Sequence, residues 1–304
     1  MSIKNFTVAY IQAIADAIRA KNGLTRTYKV SEMPEAILDI QSGNDLILLM
    51  SGSDPFNFDD DTVPTAATAI PAYMFYGNQN IRNINHSGIL TIGNNSFQNS
   101  KVNKITLEDA TTIGNEAFKG CAQLSGSDIE LPLCTSLGNN VFQNCNVSVA
   151  INLLDLSSVV SIGSRCFQDS GFFKGSSNEK TLELPACKTI ADMAFDATVS
   201  TWSNRFANVR LPAIETMGEM IFRRGNITNI YLGENCSSIG DYLFYSCHVT
   251  NLYCYATTPP TLSYNLTEDN NNINHIYVPS DSVNAYKSAQ YWSNLSSKIE
   301  AIPV

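Results

Sequence analysis

One pattern of apolar, small and polar positions recurs along the chain. In Ile113-Gly114-Asn115-Glu116-Ala117-Phe118-Lys119-Gly120-Cys121, Gly follows an apolar residue, Phe stands five places after that residue, and a small residue stands three places beyond the Phe. The pattern returns at Ile92-Gly93 to Phe97, Leu137-Gly138 to Phe142, Ile162-Gly163 to Phe167, Ile190-Ala191 to Phe195, Met217-Gly218 to Phe222 and Ile239-Gly240 to Phe244. A degenerate copy runs from Ile70-Pro71 to Phe75, which makes eight, with successive phenylalanines 21 to 28 residues apart. A unit of that length cannot bury its own apolar face, so the period predicts a solenoid of stacked coils.

Each copy carries an apolar-polar-apolar triplet upstream. The triplets are Ile105-Thr106-Leu107, Ile129-Glu130-Leu131, Leu154-Asp155-Leu156, Leu182-Glu183-Leu184, Val209-Arg210-Leu211 and Ile230-Tyr231-Leu232. Such alternation predicts a short strand with its outer residues inward and its middle residue outward. One strand per coil gives a parallel sheet with neighbours about 4.8 Å apart. The phenylalanines are expected on the opposite wall, where the flanking Gly would let the backbone turn. Pro132, Pro185 and Pro212 fall just past their strands, where a missing N–H is tolerated. The expected fold class is a mostly β, α/β-type solenoid of about eight coils.

The repeat occupies residues 65–258. Before it, residues 1–43 predict two short helices, the first with Val8, Ile11, Ile14, Ala15 and Ile18 on one face, Thr7 as N-cap and Gly23 past its end. These helices would either cap the solenoid or serve as an attachment or oligomerisation module. Residues 44–64 read as a connecting strand over 45–50 and an acidic loop carrying Asp54 and Asp59-Asp60-Asp61. That loop lacks the Gly and terminal Glu of an EF-hand, so it reads as a solvated turn and no metal is expected. Residues 259–304 are expected to cap the last coil, with a final strand at Ile276-Tyr277-Val278-Pro279 and a helix from Ser282 to Leu295 bearing Val283, Tyr286, Tyr291 and Trp292.

The repeat resembles the BspA-type leucine-rich repeat of bacteria. Ile113, Gly114, Phe118 and Cys121, and again Ile239, Gly240, Phe244 and Cys247, occupy the positions that carry the likeness. The resemblance implies a binding scaffold and leaves the ligand open; the ending resembles the unit that often follows such repeats. A second resemblance covers about 40 residues: Ile14-Ala15-Asp16-Ala17-Ile18-Arg19-Ala20-Lys21-Asn22-Gly23 and Tyr28 to Ile37 are similar to the N-terminal segment of tail-associated proteins of Firmicutes phages. That likeness implies attachment of residues 1–43 to a virion, other tail proteins as partners, and a homo-oligomer. The stripe of Val8, Ile11, Ile14 and Ile18 is the candidate contact, although it could also dock on the strand over 46–50.

Composition narrows the function classes. Only 15% of residues are charged and the net charge is −9, which disfavours a phosphate-backbone partner, so no nucleic acid is expected. No stretch reaches the roughly 20 apolar residues of a membrane span. Lys4, Gln12, Asp16 and Arg19 interrupt any signal-peptide core, so the expectation is a chain made in the cytoplasm. Of eight cysteines, Cys121, Cys145 and Cys247 fall on the small position after the Phe, where other copies carry Asn78, Ser100, Ser170, Thr198 and Gly225. Buried structural thiols are therefore expected, although Cys121 and Cys145 in adjacent coils would be close enough to bridge under oxidation.

No nucleophile, zinc-protease, phosphate-loop or dinucleotide motif is present, and His86, His248 and His275 are far apart; no enzyme activity and no cofactor is expected. The outward strand residues are the candidate site. In coil order they are Asn85, Thr106, Glu130, Asp155, Glu183, Arg210, Tyr231, Tyr253 and Tyr277, and the seven from Glu130 onward form the expected ligand face. Three acids in successive coils would repel at strand spacing unless Arg210, a cation or splaying into water relieves them. The tyrosines would present flat amphipathic faces to a bacterial surface glycan or protein. Taken with both resemblances, the leading expectation is a phage tail protein that recognises the host surface and resides in the virion. A bacterial adhesin of BspA type, on the cell surface or secreted, is the alternative, and a glycan-degrading tail enzyme the third reading.

Overall fold

A computed structural model describes residues 56–59, 68–124, 129–145, 155–170, 181–197, 205–267 and 272–303. The helices expected over 1–43, with Val8, Ile11, Ile14 and Ile18, and the strand over 45–50 lie outside the described residues.

Among the described residues, every coil but the fifth places one strand on each of two walls. The first four coils contribute β1 (Phe56–Asp59) and β2 (Ala69–Ile70), β3 (Ile81–Asn85) and β4 (Thr91–Ile92), β5 (Lys104–Thr106) and β6 (Thr112–Ile113), and β7 (Ile129–Glu130) and β8 (Ser136–Leu137). The fifth supplies β9 (Ser161–Ile162). The next four supply β10 (Thr181–Glu183) and β11 (Thr189–Ile190), β12 (Arg205–Leu211) and β13 (Thr216–Met217), β14 (Asn226–Leu232) and β15 (Ser238–Ile239), and β16 (His248–Cys254) and β17 (Thr261–Leu262). The short strands β2, β4, β6, β8, β9, β11, β13, β15 and β17 form one nine-stranded sheet, and every pairing in it is parallel. The solenoid thus has nine coils rather than the expected eight. The ninth escaped the repeat pattern because Leu262-Ser263-Tyr264-Asn265-Leu266 has neither the Gly nor the Phe.

Among the described residues the opposite wall comprises two parallel sheets, β1-β3-β5-β7 and β10-β12-β14-β16-β18-β19. Among the described residues, Asp155 and Leu156, expected to complete a strand of the fifth coil, are not in a strand. Asp59, expected in a loop, instead ends β1 and pairs with Asn85.

All eight phenylalanines are buried between the walls. They form one continuous stack, Phe75-Phe97-Phe118-Phe142-Phe167-Phe195-Phe222-Phe244, with successive ring centres 5.2–6.3 Å apart and planes within 18° of parallel. Each such pair is worth roughly 0.5–1.5 kcal/mol beyond the area it buries.

The turn around each Phe works differently from the expectation. Residues two before the Phe (Asn95, Glu116, Asn140, Arg165) and two after it (Asn99, Gly120, Asn144, Asp169) have positive φ. This alternation aims every second N–H along the solenoid axis: Asn95, Phe97 and Asn99 donate to the carbonyls of Asn115, Ala117 and Lys119, each at 2.8 Å. A left-handed residue costs about 1–2 kcal/mol, and the inter-coil hydrogen bonds offset it. The Gly after the apolar residue is not the turning residue. A Cβ on Gly163 would lie 2.5 Å from the Gly138 backbone, and one on Gly240 would lie 2.5 Å from that of Gly218. Gly is there because the neighbouring coil is too close for a side chain. The next residue along supplies an acceptor: Asn94, Asn115 and Asn139 Oδ1 accept the N–H of Asn115, Asn139 and Ser164, each at 2.8 Å.

The eight cysteines are free and buried. Cys134, Cys187 and Cys236 take the column filled elsewhere by Ile89, Ala110, Val159 and Ile214, all buried. Cys121 and Cys145 donate their S–H to the carbonyls of Phe97 and Phe118 at 3.0 and 3.1 Å. They behave as small apolar side chains, as expected.

The expected C-terminal helix is much reduced. α1 (Val283–Ser288) spans six residues, Ala289 is extended, Tyr291 has φ +63°, and a 3-10 turn covers Trp292–Lys298. The rest of this region continues the solenoid: β18 (Ile273–Val278) pairs with β16, and β19 (Ile299–Ala301), not Ile276–Pro279, is the last strand. Tyr286 and Trp292 are wholly buried; Tyr286 donates its hydroxyl to the Ala256 carbonyl at 2.8 Å, and Trp292 Nε1 donates to the Pro260 carbonyl at 2.9 Å.

Candidate binding site

The long strands β12, β14 and β16 extend the outward pattern beyond a triplet. In β14 and β16 two solvent-facing residues separate buried ones, as in Ile227-Thr228-Asn229-Ile230-Tyr231-Leu232. Two outward rows therefore run side by side across the six-stranded sheet.

The first row contains most of the expected site. Glu183 pairs in register with Arg210, Arg210 with Tyr231, Tyr231 with Tyr253, Tyr253 with Tyr277, and Tyr277 with Glu300. Arg210 Nε lies 3.4 Å from Glu183 Oε1, and its guanidinium carbon lies 4.6 Å from the Tyr231 ring centre. Tyr231 stacks on Tyr253 and Tyr253 on Tyr277, each with ring centres 4.8 Å apart. His275, two residues before Tyr277 on the same strand, has its ring centre 5.8 Å from that of Tyr277, and its Nδ1 lies 3.3 Å from Glu300 Oε1. The ring faces are thus turned to one another, and Arg210 covers the outer face of Tyr231. Except on the outer side of Tyr277, the flat faces expected to meet a partner are not presented; the ring edges and hydroxyls are. Burial, followed by the neighbouring phenols of Tyr231, Tyr277 and Tyr255, raises the Tyr253 hydroxyl above its usual range, so it is neutral at physiological pH.

The second row is polar and was not singled out from the sequence. Thr181, Asn208, Asn229, Asn251 and His275 pair in register two positions upstream of the first row. Asn251 Nδ2 donates to Asn229 Oδ1 at 2.8 Å, Asn229 Nδ2 to Asn208 Oδ1 at 3.2 Å, and Asn208 Nδ2 to Thr181 Oγ1 at 3.4 Å. Reading the alternation over five residues, as Asn208-Val209-Arg210 preceded by Phe206, would have revealed it.

The remaining expected residues are elsewhere. Glu130 ends β7 beside Thr106, on the other sheet. Asp155 accepts the N–H of Ser157 at 2.9 Å, and its hydrogen bonds to Ser157 hold its carboxyl below the usual range. Glu130 and Asp155 share a shallow groove of about 520 Å³ with Glu108, Asp109 and Leu133. Glu183 is thus paired with Arg210, whereas Glu130 and Asp155 line the groove. Among the described residues no group of three or more His, Cys, Asp or Glu is arranged to hold a metal ion. His86, expected inward, is buried just past β3.

No curated protein matches the chain. A leucine-rich repeat protein from Bacteroides ovatus has a similar structure, with a TM-score of 0.47 and 16% identity over 75% of this chain and 64% of that one. This chain therefore spans less than two thirds of the length of that protein. A leucine rich cell surface protein from Faecalibacterium prausnitzii gives a TM-score of 0.45 and 12% identity over 83% of this chain and 89% of that one. The model of the BspA type leucine rich repeat region matches residues 55–172 and 170–297, nearly the whole of the two-walled solenoid. The chain belongs to the BspA-type leucine-rich repeat family.

Proposed function

We propose that this protein is a non-catalytic interaction protein that binds a bacterial surface through the outward face of β10, β12, β14, β16 and β18. The observation that carries this reading is the register-continuous row Arg210-Tyr231-Tyr253-Tyr277 beside the amide row Asn208-Asn229-Asn251. Tyrosine, arginine and asparagine are the residue types that binding surfaces favour, and here a rigid sheet holds them at low entropic cost. The acid of this face in the row, Glu183, is engaged by Arg210.

Family membership supports the adhesin form of this reading, in which the chain acts at a cell surface. A second form, a phage tail protein, is supported by the resemblance of residues 14–37 to tail-associated segments. In that form residues 1–43 join the virion and other tail proteins, with Val8, Ile11, Ile14 and Ile18 as a homo-oligomer contact. Binding of the full chain to intact bacteria, compared with Tyr231→Ala/Tyr253→Ala, tests the shared core. Loss of binding with an unchanged melting temperature supports it, and equal binding by both chains overturns it. Immunogold labelling of source cells and purified phage then separates envelope from tail.

A further inference from the structure

The chemistry of the ladder points to one class of ligand. Among the described residues no hydrogen bond ties the hydroxyl of Tyr231, Tyr253 or Tyr277 to the protein; their contacts are through the rings. The buried Tyr286 is the contrast, with its hydroxyl bonded to Ala256 and to Cys254 Sγ. Three phenol hydroxyls are thus held in line by rings 4.8 Å apart, with no hydrogen bond to a described residue. A row of identical donor-acceptor groups at a fixed repeat suits a linear polymer whose own hydroxyls repeat along its length.

Charge selects further. Arg210 is neutralised by Glu183 in the row, Glu300 stands at its other end, and the whole chain carries −9. A polyanion would meet no unpaired cation along this row and a repulsive field around it. Because the ring faces, except on the outer side of Tyr277, are occupied by one another and by Arg210, apolar stacking of a ligand along the row is also blocked.

We infer that the ladder binds an uncharged, linear polysaccharide lying across the strands, and that it is held by the phenol hydroxyls rather than by the ring faces. This rests on the proposed use of the same face for surface binding.

The test is affinity electrophoresis and calorimetry of the full chain against neutral polymers (dextran, mannan, laminarin) and anionic ones (alginate, lipoteichoic acid). The variants are Tyr231→Phe/Tyr253→Phe/Tyr277→Phe, which keeps the stack, and the corresponding triple Ala variant. The expected result is retention by at least one neutral polymer, insensitive to salt, and weakened about tenfold or more by the triple Phe variant, since each lost hydrogen bond is worth roughly 2- to 12-fold. Retention only by anionic polymers, or by none, overturns the inference. So does a neutral polymer bound equally by the Phe variant. If the Ala variant alone loses binding, the hydroxyl inference fails and the face remains the site; if it too binds normally, the reading of the face fails with it. Binding to cells that protease abolishes and periodate does not would make the partner a protein and likewise overturn the inference.

Discussion

Arg223 grips Asp196 with two parallel hydrogen bonds, Nε to Oδ1 at 2.7 Å and Nη2 to Oδ2 at 2.6 Å. The Asp196 side chain is 0% exposed and that of Arg223 21%. Both follow an anchor phenylalanine, in the column that Gln143 and Gln168 occupy earlier. Gln143 Nε2 donates to Gln168 Oε1 at 2.6 Å, and Gln168 Nε2 donates to Asp196 Oδ2 at 2.7 Å. One hydrogen-bonded chain thus crosses four coils just beside the Phe stack.

Arg223→Ala strands a carboxylate in that chain. Chemical denaturation is expected to show a loss of about 3–5 kcal/mol, the usual cost of breaking a buried pair from one side. Adding Asp196→Asn should restore part of it, because a neutral amide keeps the bond to Gln168 without a buried charge.

Gly163→Ala separates the two roles a glycine can have here. The added Cβ would lie 2.5 Å from the carbonyl carbon and oxygen of Gly138, and neither backbone can move without shifting a coil. Gly77, with φ +65° and open space around its Cβ position, carries strain but no clash. The melting temperature should fall several degrees further for Gly163→Ala than for Gly77→Ala, whose left-handed cost is about 1–2 kcal/mol.

The sequence made the repeat, the inward strand residues and the buried phenylalanines legible because each obeys a period, and period survives substitution. Three features were not legible for specific reasons. The ninth coil was hidden because Leu262 begins it without Gly or Phe. The left-handed turns were hidden because Glu116, Arg165, Met193 and Tyr242 do not advertise positive φ; the inter-coil hydrogen bonds impose it. The mutually stacked tyrosine faces were hidden because sequence gives the row but not the ring tilt, which Arg210 and the strand spacing decide. Within the site, Glu183, Arg210, Tyr231, Tyr253 and Tyr277 were placed in the right row, whereas Asn208, Asn229 and Asn251 required two more residues of strand than the triplet supplied.

Phe142→Ala opens a hole in the middle of the stack, between Phe118 at 5.7 Å and Phe167 at 5.4 Å. A loss of about 3–5 kcal/mol is expected. Because each coil rests only on its neighbours, hydrogen exchange should speed most in the coils around Phe142 and least near Phe244. Uniform acceleration along the chain would show that the solenoid unfolds as one block.

The buried thiols give a defined alkaline limit. Burial raises Cys121 and Cys134 from 9.0 to about 11, and Cys187 and Cys236 to about 12. The unfolded chain therefore releases these protons at lower pH than the folded one. Their contribution to stability is complete below about pH 9 and is lost progressively as pH rises from there towards 12. Urea midpoints should fall across that window, and Cys→Ser or Cys→Val at positions 134, 187 and 236 together should flatten the fall. At neutral pH an aromatic disulfide reagent should find the eight thiols unreactive until denaturant is added.

The C-terminal segment behaves as part of the core rather than as a detachable lid. Tyr286 and Trp292 meet edge to face at 5.0 Å and bond to the carbonyls of Ala256 and Pro260, which belong to the ninth coil. β19 adds a strand to the sheet that carries the tyrosine row, and Tyr277 pairs with Glu300 in it. Truncation after Ser282 should therefore leave the edge of β18 and the buried Cys254, Leu262 and Leu266 uncovered, and give aggregated protein by size-exclusion chromatography. The milder Trp292→Ala, expected to cost about 3–5 kcal/mol, keeps the chain length and checks the same contact. A soluble truncated chain with an unchanged melting temperature would show instead that the solenoid closes at β18.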